Sequence, residues 1–144
     1  MFKWLYRLSD LARHRARRKR WNPERATGRR GEDVAHRYLQ SKGLTIVARN
    51  YRTPSGSGEL DLVARSGDAL IVVEVKSRSN KDFGPPERNL DLDQQHRIMR
   101  GAQDYARRAG VELINMRFDV VTVVFSTPVE VRHFTDVFHP IEDY

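Results

Sequence analysis

Hydrophobic positions recur along this chain with two different periods. Val34, Ala35, Tyr38 and Leu39 fall at helical spacing, and so do Ile98, Met99, Ala102, Ala106 and Ala109. Thr27 or a neighbour can cap the first helix, which is expected to run to about Ser41 and stop at Gly43. Asp91 or Asp93 can start the second, which is expected to reach about Ala109 with Gly110 as its C-cap. Elsewhere the period is two, in runs rich in Val, Ile, Leu and Phe. "LTIVARNYR" (44–52), the two halves of "GELDLVARSGDALIVVEVKSR" (58–78), "MRFDVVTVVF" and "VEVRHF" read as strands. "TPSGSG" and "SNKDFGPPERNLD" read as loops by their Gly, Pro, Ser and Asn content.

The order is therefore helix, three strands, helix, strand, strand. Short links make the first three strands an antiparallel meander, and the strand-helix-strand crossover makes the next strand a parallel, right-handed neighbour. The expected fold class is α/β, a mixed central sheet flanked by helices.

Gly67-Asp68 reads as a two-residue hairpin loop, which fixes a register. If Ser66 faces Ala69, facing residues sum to 135, so Asp61 lies opposite Glu74 and Glu59 opposite Lys76. Alternation then puts all four on one face with Val63, Leu70 and Val72, while Leu60, Leu62, Ile71, Val73 and Val75 fill the other. Apolar residues on both faces mean a covered sheet. Carboxylates facing each other there destabilise it unless they are protonated, paired or given a cation. Lys76 can neutralise one acid; a divalent cation held by hard oxygen ligands resolves the remainder. The plainer reading is a Glu59–Lys76 cross-strand salt bridge with Asp61 and Glu74 solvated at a frayed end.

Composition narrows the alternatives. With 144 residues, 39% of them hydrophobic, the chain suits one domain with a modest core. The longest apolar run falls far short of the roughly 20 residues a membrane-spanning helix needs. The absence of Cys removes disulfides, thiolate metal sites and Cys nucleophiles, and fits a reducing, cytoplasmic location. Five scattered His give no pair at metal-ligand spacing, and the glycines of Ser55-Gly56-Ser57-Gly58 precede a strand, where a phosphate loop would follow one.

The net charge of +7 is unevenly placed. Residues 1–30 hold 11 Lys/Arg against two acids, a net +9, which leaves 15 against 17, or −2, for residues 31–144. Residues 1–26 read as a basic amphipathic arm, with Trp4, Leu5, Leu8, Leu11 and Ala12 on one stripe and a basic run from Arg13 to Arg20. Such an arm suits nucleic-acid phosphates or an anionic lipid surface, and its charge and apolar order is the reverse of a secretory signal.

"GRRGEDVAHRYLQSKGLTIVARNYR", "GELDLVA", "VVEVKSR", "FG" and "RFDVV" together carry a resemblance. Residues 27–144 resemble the restriction-endonuclease-like, PD-(D/E)XK nuclease superfamily. From Gly28 to about Val137 the chain resembles the YraN-like uncharacterised family, which is similar to archaeal Holliday-junction resolvases. The resemblance implies catalytic roles for Glu32, Asp61, Glu74 and Lys76, with Mg²⁺ or Mn²⁺ held by Asp61, Glu74 and the backbone carbonyl of Val75. Glu59 matches the family's Gly-Glu-x-Asp pattern. Nucleic-acid contacts are expected at Arg29, Arg30, Arg78, Gln94 and Arg97. Gln94 stands where the family often shows Lys, a loss of charge that Arg97 or Arg100 on the same helix can replace. Asp119 is expected to be a buried structural acid.

These expectations amount to metal-assisted phosphodiester hydrolysis, possible on branched DNA, with no small-molecule cofactor and a possible homodimer. The competing reading keeps the fold as a module that binds nucleic acid or a partner without cutting. A membrane-surface role through the arm is the minor alternative.

Overall fold

The computed structural model describes residues 23–79 and 89–139. The expected arm, residues 1–22 in particular, lies outside the described residues. Helix α1 (Pro23–Ser41) begins four residues before the expected Thr27. It is followed by β1 (Thr45–Arg52), β2 (Glu59–Ser66), β3 (Ala69–Arg78), α2 (Leu92–Ala109), a 3-10 turn (Leu113–Asn115), β4 (Met116–Val124) and β5 (Glu130–Phe134). One five-stranded sheet in the order β1-β2-β3-β4-β5 is antiparallel except where β3 meets β4 in parallel through the α2 crossover. This is the expected mixed sheet, in the arrangement of a restriction-endonuclease-like core.

Local chemistry sets the ends of these elements. Asp91 caps α2 by accepting from the Gln94 backbone N–H, while the Gln94 side chain accepts from the Asp91 N–H. Gly110 closes the helix in the left-handed region at φ +69. Gly67 turns the β2-β3 hairpin at φ +59, and the pairing runs from Ser66↔Ala69 to Leu62↔Val73, facing residues summing to 135 as the turn requires.

Each helix covers one face. Ala35 and Leu39 of α1 pack on Leu62, Ile71, Val73 and Val121. On the opposite face Ile98, Ala102 and Tyr105 of α2 pack on Val63, Val72 and Phe118. Leu60 corrects the simple alternation: it is fully buried on the α2 face with Val63, although three residues separate them. Tyr51, paired with Leu60, lies on that face with Ala48, also three residues away. Both strands therefore change faces in the same place, between Arg49↔Leu62 and Tyr51↔Leu60.

Two close approaches fix how the helices sit. A Cβ on Gly58 would come within 2.5 Å of the Gly101 nitrogen, so α2 crosses the entry of β2 backbone to backbone. A Cβ on Gly31 would overlap the Ser77 hydroxyl, so α1 lies directly on the end of β3. Among the described residues no helix is long and apolar enough to cross a membrane.

Candidate functional site

The face change opens a gap. Asn50 and Asp61 lie between the pairs Arg49↔Leu62 and Tyr51↔Leu60 and are not themselves paired. Asn50 adopts φ +53, the left-handed region that Asn tolerates better than most residues. On the other side of β2, the Val75 backbone N–H donates to Asp61 Oδ2 at 2.8 Å, a carboxylate standing where a strand would offer a carbonyl. Asp61 thus stands between β2 and β3, within hydrogen-bonding reach of the Glu74 carboxyl and close enough to Glu32 to raise its pKa.

Glu74 is buried and receives a hydrogen bond from Arg97 Nη2 at 3.0 Å. Glu32, placed on α1 one residue after Gly31, accepts from Asn50 Nδ2 at 3.0 Å and lies 3.6 Å from Arg49 Nη2. Glu59 pairs with Arg52 at 3.3 Å, across β1. The Glu59–Lys76 bridge of the plainer sequence reading is therefore replaced, and Lys76 donates instead to the Asn89 carbonyl, just before α2.

Positive charge is short at this cluster. Burial pushes the Asp61 carboxyl well above the usual range, and the neighbouring Glu74 pushes it further; the Val75 N–H pulls the other way. Burial also raises Glu74, with Arg97 opposing. Glu32 is pushed up to about 7 by burial first and Asp61 second, against the hydrogen bond from Asn50 and the charge of Arg49. Carboxyls displaced upward together by desolvation and mutual repulsion mark a candidate functional site.

Among the described residues no group of three or more His, Cys, Asp or Glu is arranged to hold a metal ion. The pair Asp61–Glu74 nevertheless fits a hard divalent cation on its chemistry: two carboxyl groups side by side, only one of them bonded to a cation.

The expected nucleic-acid contacts are differently engaged. Gln94 is committed to the α2 cap and Arg97 to Glu74. Arg30 is exposed, its guanidinium 4.4 Å from the centre of the Phe125 ring, and the Phe125 N–H donates to the Arg78 carbonyl at 2.8 Å. That brings Arg30 and Arg78 to one edge at the far end of β3 from the hairpin turn. The Arg29 carbonyl accepts from Arg49. Asp119 is the buried structural acid expected, bound by Arg117, His133 and the Asp136 N–H.

Sequence reasoning missed Asn50, Gly31 and Gly101. Asn is depleted in strands, so "ARNYR" held a signal for Asn50 that the apolar pattern around it hid. The glycines gave none, because each is required by a surface distant in sequence.

The model of the uncharacterised protein family UPF0102 matches residues 31–123. A UPF0102 protein of Solibacter usitatus is 48% identical over 134 residues, covering 93% of this chain and 97% of its own. Those of Dictyoglomus turgidum and Rhodococcus jostii are 38% identical over 107 residues and 39% over 115, covering 74% and 78% of this chain and 89% and 96% of theirs.

Proposed function

The chain belongs to the uncharacterised protein family UPF0102, and from its acid cluster we propose that it is a metal-dependent nuclease that hydrolyses nucleic-acid phosphodiesters. The observation that carries this reading is the pairing of half-buried Asp61 with buried Glu74, both desolvated and only Glu74 bonded to a cation, with Lys76 two residues along the same strand. Asp61 and Glu74, with the Val75 carbonyl, would hold Mg²⁺ or Mn²⁺. A divalent cation held there supplies Lewis acidity toward a phosphate oxygen and lowers the pKa of bound water.

The remaining work falls to the chain itself. The Val75 N–H holds Asp61 in its gap, and Arg97 holds Glu74, so neither carboxyl swings freely. Lys76, half-buried and donating to the Asn89 carbonyl, is suited to charge building on a phosphate or to orienting the attacking water. Glu32, near neutral pKa, suits an outer water or a proton at working pH. Arg30 and Arg78 offer phosphate contacts at the nearby edge, and branched DNA in the cytoplasm is the proposed substrate and setting.

Binding of nucleic acid or a partner without cleavage is the second reading, favoured by one observation: Arg97 already pairs with Glu74, one of the two carboxyls a metal would need. Purified protein incubated with branched, flap and linear DNA in Mg²⁺, Mn²⁺ or EDTA separates the two. Metal-dependent products support the nuclease; retention of DNA on a gel with no products in either metal supports the binding module.

A further inference from the structure

We propose that Asn50 is a positioning residue that holds the Glu32 carboxyl beside Asp61, a role that rests on the nuclease reading of the same site. Three observations converge on it. Its amide donates to Glu32 Oε2 at 3.0 Å, joining β1 to α1 across the first face of the sheet. Its backbone sits at φ +53 inside a strand, one of two non-glycine residues with positive φ among those described. Its place in the ladder is opposite Asp61, and both are left out of the pairing that flanks them.

These are consequences of one another. An extended residue at 50 would continue the alternation and carry Tyr51 to the face opposite Ala48. The left-handed turn at Asn50 keeps Tyr51 and Ala48 together on the α2 face and leaves Asn50 at the gap, where its amide meets α1. Arg49, the residue before, binds Asp33 and lies 3.6 Å from Glu32, so the same bend brings one cation and one amide to the first helix. An amide suits this place better than a second cation. It orients Glu32 by donating to it while adding no charge that would cancel the cluster's pull on a metal, much as the hydrogen-bonded groups around metal sites orient their neighbours.

Asn50→Gly is the informative variant, because glycine accepts the left-handed backbone and removes only the amide. Metal-dependent cleavage should fall by about 10–100-fold, the usual effect of losing such an outer partner, with the melting temperature little changed. In a Glu32→Ala background the same substitution should cost nothing further, since its effect passes through Glu32. Full activity in Asn50→Gly overturns the proposal, as does an equal loss in both backgrounds. If the unsubstituted protein cuts no substrate, the nuclease reading fails by itself, and the contact is judged by nuclear magnetic resonance. The Asn50 side-chain amide signals should then move on Glu32→Ala; signals that stay in place overturn the positioning role.

Discussion

Two groups of acids, on this sheet and on the helices packed against it, are treated in opposite ways. Asp119, on β4, is surrounded by donors: Arg117 reaches it with two nitrogens at 2.8 and 2.9 Å, His133 at 2.8 Å and the Asp136 N–H at 2.9 Å. Burial pushes its pKa up, but the hydrogen bonds from His133 and Arg117 prevail and hold it below the usual range. Asp61, Glu74 and Glu32 have fewer donors each, the Val75 N–H, Arg97, and Asn50 with Arg49 respectively, and there desolvation prevails and their pKa values rise. Asp104 follows the Asp119 pattern: Tyr51, Arg107 and Arg108 bind it, and its pKa falls despite burial. Surface exposure alone therefore does not separate the groups, since Glu74, Asp104 and Asp119 are all buried. What distinguishes the candidate site is desolvation that outweighs the donors present, a cost to folding that a purely structural acid has no reason to carry.

Asp119→Ala tests the structural half of this contrast and carries the largest expected effect. It strands His133 and the Asp136 N–H, and should destabilise the protein by about 3–5 kcal/mol, read by denaturant unfolding. A loss below about 1 kcal/mol would make the hub decorative. Lys76→Met tests the other half. It should lower metal-dependent cleavage by about 10²–10³-fold while leaving stability and DNA binding almost unchanged, if its charge acts mainly in the transition state. Equal loss of binding would make Lys76 a phosphate anchor.

The two regions should also respond to pH with opposite sign. Glu32 has a folded pKa of about 7 against 4.5 for the free side chain, so the folded chain holds its proton more tightly than the unfolded chain does. Its contribution is complete below about pH 4.5 and lost as pH rises toward 7, on the order of 3 kcal/mol in total. Asp119, with its pKa lowered from 3.8, contributes above that value and loses its contribution as pH falls below it. Melting temperatures of the metal-free protein should therefore decline between pH 5 and 7. Glu32→Gln or added Mg²⁺ should flatten the decline, and an unchanged slope in Glu32→Gln would assign it elsewhere.

The smallest effect is expected from the packing that frames the cluster. A Cβ on Gly101 would lie 2.9 Å from Leu60 Cγ and 3.1 Å from the Glu59 nitrogen, so Gly101→Ala must push α2 off the entry of β2. A cost of about 1–3 kcal/mol is expected, with cleavage reduced because Asp61 follows Leu60. Unaltered cleavage in a destabilised variant would uncouple the frame from the site.

How far the site could be read in advance follows from the range of the forces involved. The α2 cap at Asp91, the stop at Gly110, the hairpin at Gly67 and the meeting of Asp61 with Glu74 depend on neighbours a few residues away or on one turn, and all were legible. Parallel pairing of β3 with β4 followed from the crossover between them. The plain alternation failed at Leu60 because a left-handed residue on a different strand reset it, a cause with no trace in the β2 sequence. Whether Arg97 would meet phosphate or Glu74, and whether Glu32 would reach Asp61, were likewise open along the chain. Those pairings belong to tertiary structure alone: Gly31 and Gly101 set how closely the helices descend on the sheet, and that descent puts Glu32 within reach of Asn50 and Arg97 within reach of Glu74.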